Sequence, residues 1–172
     1  MHQGNHCEIE RKYLIRRPEE ARLAAMPGAE IWDLVQTYLT DGADGSTRRV
    51  RSVRTDGKTH YTHTVKHRVT VLSCEEMEEE ISRETYDRLL ADADPALNAI
   101  EKRRYRIPYA GQLLEIDLYS FWSDRATLEV ELRREDQAVE LPEWIELIRE
   151  VTGERAYKNR YLAEAIPMEE LR

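Results

Sequence analysis

Polar and apolar residues alternate along most of this chain with a period of two, the spacing of a strand with unlike faces. The stretch C-E-I-E-R-K-Y-L-I, Cys7 to Ile15, sets Glu8, Glu10 and Lys12 on one side and Cys7, Ile9, Arg11 and Tyr13 on the other. Runs of strand character recur at 32–40, 46–54, 60–68, 75–81, 99–108, 112–119 and 126–133. Turn residues separate them: D-G-A-D-G-S at 41–46, T-D-G-K at 55–58 and Y-A-G-Q at 109–112. A helical period takes over in four places. R-P-E-E-A-R-L-A-A-M begins at Arg17 with Pro18 in its first turn, and Ser82 caps 83–93. The third helix spans 142–152, with Pro142 at its start and Gly153 after its end; the last runs from about 155 to 165 and stops before Pro167. About eight strands joined mainly by hairpins imply a mainly β fold (α+β), an antiparallel sheet closed or nearly closed.

Parity then sorts the charges. Arg49 and Arg51 share a face, as do Thr62, Thr64 and Lys66, and Glu76, Glu78 and Glu80. Lys102, Arg104 and Arg106 lie together; Glu115 and Asp117 oppose Leu114, Ile116 and Leu118; Glu129 and Glu131 oppose Leu128, Val130 and Leu132. The apolar rows are continuous and need cover, which the helices at 83–93 and 142–152 can supply. The charged rows therefore face inward, the reverse of a small barrel filled by apolar side chains. Solvent-facing rows are the competing reading. Like charges at i, i+2 on six strands argue against it, because stacked like charges repel and a plain solvated face interleaves signs. A lumen with cations on some strands and carboxylates on others suits a polyphosphate with a divalent metal.

Composition narrows the partners. The 172 residues suffice for one domain with a real core, and the formal net charge is −8. A chain this acidic is a poor coat for nucleic acid or an anionic membrane, though its 26 Lys and Arg leave room for a basic pocket. No apolar run reaches the length of a membrane span, and the first residues lack a signal-peptide core. The two cysteines, Cys7 and Cys74, show no zinc spacing. The expectation is a soluble cytoplasmic protein.

The ordered set of motifs has a family resemblance. E-I-E-R-K, with Glu8, Glu10 and Lys12, resembles the ExExK motif of the CYTH superfamily, the triphosphate tunnel metalloenzymes. Q-T-Y-L, R-V-R, T-V-K, E-K-R-R-Y, L-L-E-I-D, L-E-V-E-L and A-Y-K-N-R follow in the family's order, over about residues 7–165. The closest likeness is to short, single-domain bacterial members. The resemblance implies an eight-stranded antiparallel β-barrel enclosing a charged tunnel, with residues 1–6 a flexible tail, 7–166 one domain and 167–172 a C-terminal tail. It implies Mg²⁺ or Mn²⁺ held by Glu8, Glu10, Glu129 and Glu131, with Glu115 or Asp117 as a further acidic group. The triphosphate cradle it implies is Lys12, Arg49, Arg51, Lys66, Lys102 and Arg104, with Lys158 on a segment that plugs or lines one mouth. A homodimer is the family's expectation.

Hydrolysis of a phosphoanhydride is mainly positioning and stabilisation of spread negative charge, which guanidinium forks and ammonium groups supply. Glu129 or Glu131 can take the proton of the attacking water; a Lys12–Tyr38 pair is the other arrangement weighed. Inorganic tripolyphosphate is the first-choice substrate. The alternatives are a nucleoside or thiamine triphosphatase, a class IV-type adenylate cyclase, and a non-catalytic triphosphate sensor. His60, His63 and His67 are expected off the tunnel, and Trp32, Trp122 and Trp144 in packing roles.

Overall fold

The computed structural model describes residues 9–68 and 74–171. Glu8 and Cys7, both singled out above, lie outside them. Among the described residues nine strands form one antiparallel sheet: β1 Ile9–Arg16, β2 Glu30–Tyr38, β3 Thr47–Thr55, β4 Lys58–Arg68, β5 Cys74–Ile81, β6 Ile100–Tyr109, β7 Gln112–Tyr119, β8 Arg125–Leu132 and β9 Leu147–Glu150. Their order is β5-β4-β3-β2-β6-β7-β8-β1-β9. The sheet is not closed by hydrogen bonds, since β5 and β9 remain its edges. Three short helices accompany it: α1 Glu20–Ala24, α2 Arg83–Leu89 and α3 Asn159–Leu162.

β2, β3 and β4 follow one another as hairpins, as do β6, β7 and β8, and two tight turns fall where Asp-Gly and Ala-Gly stand. Asp56 and Gly57 have φ of 50° and 71°, and Ala110 and Gly111 have 50° and 72°. Two successive left-handed residues make the turn whose twist matches that of the flanking strands. Ser82 caps α2 as its position predicts, its hydroxyl accepting from the Thr85 backbone N–H.

Two helices expected from the sequence are not formed. The 142–152 stretch folds instead into a turn and strand β9, which runs antiparallel to β1. Its apolar residues fit either period, and β-branched Ile148 and Val151 favour extension. The tertiary structure decides: β1 would otherwise present unpaired backbone groups on one side. Arg16 N–H donates to the Glu146 carbonyl and Val151 N–H to the Lys12 carbonyl, which satisfies that edge. The 155–165 stretch becomes a 3₁₀ turn at Arg155–Tyr157 followed by the single turn of α3.

The apolar rows lie on the convex face, as expected. Tyr13, Ile15, Tyr105, Ile107, Leu114, Ile116, Leu128 and Val130 are buried there. Their cover is Leu23 of α1 and the irregular 139–145 segment with Val139, Leu141, Trp144 and Ile145, not a 142–152 helix. Tyr86 and Leu89 of α2 pack on Val50 and Tyr61 over β3 and β4. A separate apolar cluster sits at one end of the concave face, where Tyr157, Leu162 and Ala163 press on Leu14, Tyr38, Ile100 and Tyr119. That cluster stops one end of the charged trough.

Candidate active site

Side chains of directly opposed residues in an antiparallel pair point to the same face. The register therefore aligns the charged positions across the whole sheet. Glu10 opposes Glu131 and Lys12 opposes Glu129. Glu115 opposes Glu129, and Asp117 opposes Arg104. Gln36 opposes Arg51 and Tyr38 opposes Arg49. Leu34, of the same parity on β2, opposes Lys102. Lys66 opposes Thr47 and Glu76. Every strand residue named for the site, Glu8 apart, thus shares the concave face.

At its centre Asp117 is 1% exposed. It accepts from Lys102 Nζ at 2.8 Å and from Arg104 Nε and Nη2 at 2.7 and 3.0 Å. Arg104 Nη1 reaches Glu115 at 3.0 Å. Lys12 Nζ donates to the Tyr157 carbonyl at 2.7 Å and lies 3.3 Å from Glu129. Arg51 is buried and both its Nε and Nη2 donate to the Gln36 side-chain carbonyl, at 3.0 and 2.7 Å. Gln36 in turn donates to the Tyr38 hydroxyl at 2.8 Å. The Arg51 fork is thus held open by a neutral group, and no ion pair to it occurs among the described residues. Arg49 lies 3.3 Å from Glu76 toward the β5 side, and Lys66 is exposed.

The electrostatics follow from burial and crowding. Burial is the largest influence on Lys102; Asp117 pulls its pKa up, Arg104 and Arg51 push it down, and it settles at about 7. Burial and then the neighbouring Arg49 and Arg104 push Arg51 down to about 9, still charged at neutral pH. Burial opposes ionisation of Asp117, but Arg104 and Lys102 outweigh it and hold the carboxyl below its usual range. Burial likewise opposes ionisation of Glu129, and Lys12, Arg104 and Lys102 hold it low. The trough keeps four cations buried, Lys12, Arg51, Lys102 and Arg104, around fewer buried carboxylates. Several of them are primed to repel one another until an anion arrives.

Lys102 makes this testable. Its folded pKa of about 7 lies below the ordinary 10.5, so between those values the unfolded chain binds a proton that the folded one does not. Stability of the free protein therefore rises with pH across that window. A bound polyanion restores the ammonium. Binding of tripolyphosphate at pH 8 should take up close to one extra proton, and its affinity should fall up to about tenfold per pH unit above 7. Calorimetry in buffers of different ionisation enthalpy measures the uptake. Lys102→Met should lack it; equal uptake in both proteins would assign the proton to the ligand.

Several assignments look different in place. Lys12 and Tyr38 do not pair: the ammonium goes to Tyr157 and Glu129, while Gln36 holds the Tyr38 hydroxyl and Arg160 lies 5.9 Å from its ring centre. The segment carrying Lys158 does stop one end of the trough, but the Lys158 side chain is exposed. Asn159 accepts from the Tyr119 hydroxyl at 2.7 Å and helps seat that stop. Gln36 is not among the site residues expected from the sequence; its signals there are its place in Q-T-Y-L and an amide at an inward parity position on β2. His63 faces outward beside Glu79, 3.4 Å away, which gives the charged Glu79 on edge strand β5 a partner.

A divalent cation is suited by the chemistry of the carboxylates. Glu10 and Glu131 oppose one another, as do Glu115 and Glu129. Like charges directly across a ladder repel unless a cation sits between or beside them. Arg104 and Lys12 serve that purpose for Glu115 and Glu129. The Glu10/Glu131 pair, at the end of β1 and β8 nearest Glu8, offers hard oxygen donors of the kind Mg²⁺ and Mn²⁺ take. Among the described residues no three acidic, histidine or cysteine side chains gather at ligating distance.

No protein-family model matches the chain. The inorganic triphosphatase of Nitrosomonas europaea is 34% identical over 165 residues, 93% of this chain and 99% of that protein. The crystal structure of the inorganic triphosphatase NE1496 superposes with a TM-score of 0.61 at 32% identity, over 93% of this chain and 99% of that one. The PH1819 protein of Pyrococcus horikoshii shares the fold at 17% identity, with a TM-score of 0.54 over 74% of this chain and 81% of its own. With the trough, its ladder of charges and this relative in view, the chain belongs to the CYTH superfamily of triphosphate tunnel metalloenzymes, in the company of the Nitrosomonas inorganic triphosphatase.

Proposed function

We propose that the protein hydrolyses the phosphoanhydride bond of a triphosphate, with inorganic tripolyphosphate as its substrate. The observation that carries this reading is the surplus of buried cations on one concave face. Lys12, Arg51, Lys102 and Arg104 are each 9% exposed or less, and among the described residues Arg51 has only a neutral hydrogen-bond partner. Burying such charge is unfavourable unless a counter-charge is bound. A small polyanion supplies it, and the identity to an inorganic triphosphatase supports the choice.

The chain's own groups divide the work. The Arg51 and Arg104 forks, fixed by Gln36 and Asp117, grip phosphate oxygens in two places each. Lys12 and Lys102 add point charges, and Arg49 and Lys66 extend the cradle toward β4 and β5. Asp117 aims Arg104 and Lys102 and touches no substrate in this scheme. Glu10, Glu129 and Glu131, with Glu8, would hold Mg²⁺ or Mn²⁺, which neutralises phosphate charge and lowers the pKa of an attacking water. Glu131, exposed at the end of β8, would accept the proton of that water.

Phosphate release from tripolyphosphate, ATP and thiamine triphosphate, each with Mg²⁺, Mn²⁺ or EDTA, tests the reading. Release should need the metal, should be fastest from tripolyphosphate and should fall at least a hundredfold in Glu131→Gln. Tight binding of tripolyphosphate with no release from any substrate would leave a sensor; pyrophosphate and cyclic AMP from ATP would make it a cyclase.

A further inference from the structure

The trough has two ends, and among the described residues only one is stopped. Tyr157, Leu162 and Ala163 close the end at Tyr38, where Arg160 also lies over the ring. Trp32 stands six residues away along the same strand, about 20 Å at the usual rise per strand residue. Its partner in the ladder is Arg104, so its ring lies on the concave face, half-buried, at the outer edge of the phosphate grip. Arg106, one ladder step further out, places its guanidinium carbon 4.3 Å from the centre of the Trp32 ring. The same guanidinium is tied down by Glu30 at 3.1 Å and by Glu115 at 3.3 Å. Those two carboxylates, with the ring, hold it over the indole.

This bears on what a triphosphate can carry. Anything attached to its terminal phosphate must leave through the open end, past Trp32. An exposed indole there would be a stacking platform for a nucleobase. A guanidinium already stacked on it removes that platform, since a base must first break a cation–π contact and two ion pairs.

We propose that Arg106, clamped on Trp32 by Glu30 and Glu115, is a specificity residue that covers the aromatic face at the open mouth and disfavours nucleotides against bare inorganic tripolyphosphate. This rests on the triphosphatase reading above and deepens it. Arg106 takes no part in the phosphate grip, and its charge is spent on the two carboxylates.

The test compares kcat/KM for tripolyphosphate and ATP, and calorimetric binding of tripolyphosphate and the non-hydrolysable analogue AMP-PNP, in wild type, Arg106→Gln and Arg106→Gln/Trp32→Leu. Arg106→Gln should raise kcat/KM for ATP and the affinity for AMP-PNP about tenfold, the scale of one base stacked on an aromatic ring. Tripolyphosphate values should stay within about threefold. Adding Trp32→Leu should abolish the gain. Arg106→Lys keeps the charge, loses the planar stack, and should shift selectivity in the same direction. An unchanged ratio in Arg106→Gln, or a parallel fall for both ligands, would overturn the proposal; the parallel fall would make Arg106 a phosphate ligand. Absence of turnover in wild type would sink the hydrolase reading instead, and the two binding affinities would still decide the role of Arg106.

Discussion

Asp117→Asn is expected to lower the stability of the free protein by about 3–5 kcal/mol, the cost of stripping one partner from a buried ion-pair network. The side chains of Asp117 and Lys102 are 1% and 0% exposed, and Arg104 makes two further bonds to the same carboxylate. The amide keeps the shape and loses the charge, which leaves the buried Arg104 guanidinium facing a neutral group and removes the charge that favours the Lys102 ammonium. For a chain of this length the melting temperature should drop by on the order of 10 °C. Saturating tripolyphosphate should return part of the loss, because the ligand supplies the missing negative charge and binds only the folded state. Acid unfolding gives a second readout. The Asp117 pKa is held below its ordinary value, so its stabilisation is present above the unfolded pKa and fades as pH falls through the folded one. The variant should lack that part of the acid limb. A melting curve that matches wild type would show that Asp117 is not what holds Lys102 and Arg104.

Arg51→Met should behave in the opposite way: kcat/KM for tripolyphosphate falls by about 10²–10³, the cost of one preorganised donor to developing charge, while stability holds or rises. Arg51 is buried beside two like charges and, among the described residues, donates only to the neutral Gln36 carbonyl. Removing a buried charge relieves desolvation and repulsion, which offsets the hydrogen bonds that Gln36 loses. Thermal melts beside steady-state kinetics separate the two effects. Retained activity would take Arg51 out of the phosphate grip, and a collapse in stability would make it a structural group. A site residue whose removal stabilises the fold is the usual sign of an arrangement kept for a ligand.

The sign pattern of these two variants separates roles that share one face of the sheet. Asp117 positions cations and is compensated in the free protein. Arg51 awaits its counter-charge. Lys102 stands between them, tied to Asp117 yet pushed down to about 7 by burial and its cationic neighbours. Binding, protonation and stability are therefore linked in this trough, and each can be read through the others.

Much of this was legible in the chain. The period-two pattern fixes which side chains share a face, because a strand has only two, and a one-residue slip would turn every charged residue into the apolar layer. Continuous apolar rows on β7 and β8 forced the charged rows inward. Asp56-Gly57 and Ser82 announced a turn and a helix start because their chemistry is local. Tertiary structure alone decided the rest. Residues 142–152 fit a helix and a strand equally well, and the unpaired edge of β1 chose the strand. The stop at one end of the trough is made by Tyr157, Leu162 and Ala163, whose apolar partners lie about 120 residues or more away on β1 and β2 and about 40 to 60 away on β6 and β7, beyond the reach of local pattern. Which cation pairs with which carboxylate depends on register between strands distant in sequence; so does the covering of Trp32 by Arg106. Parity within a strand places a side chain on a face, and only pairing between strands gives it a partner.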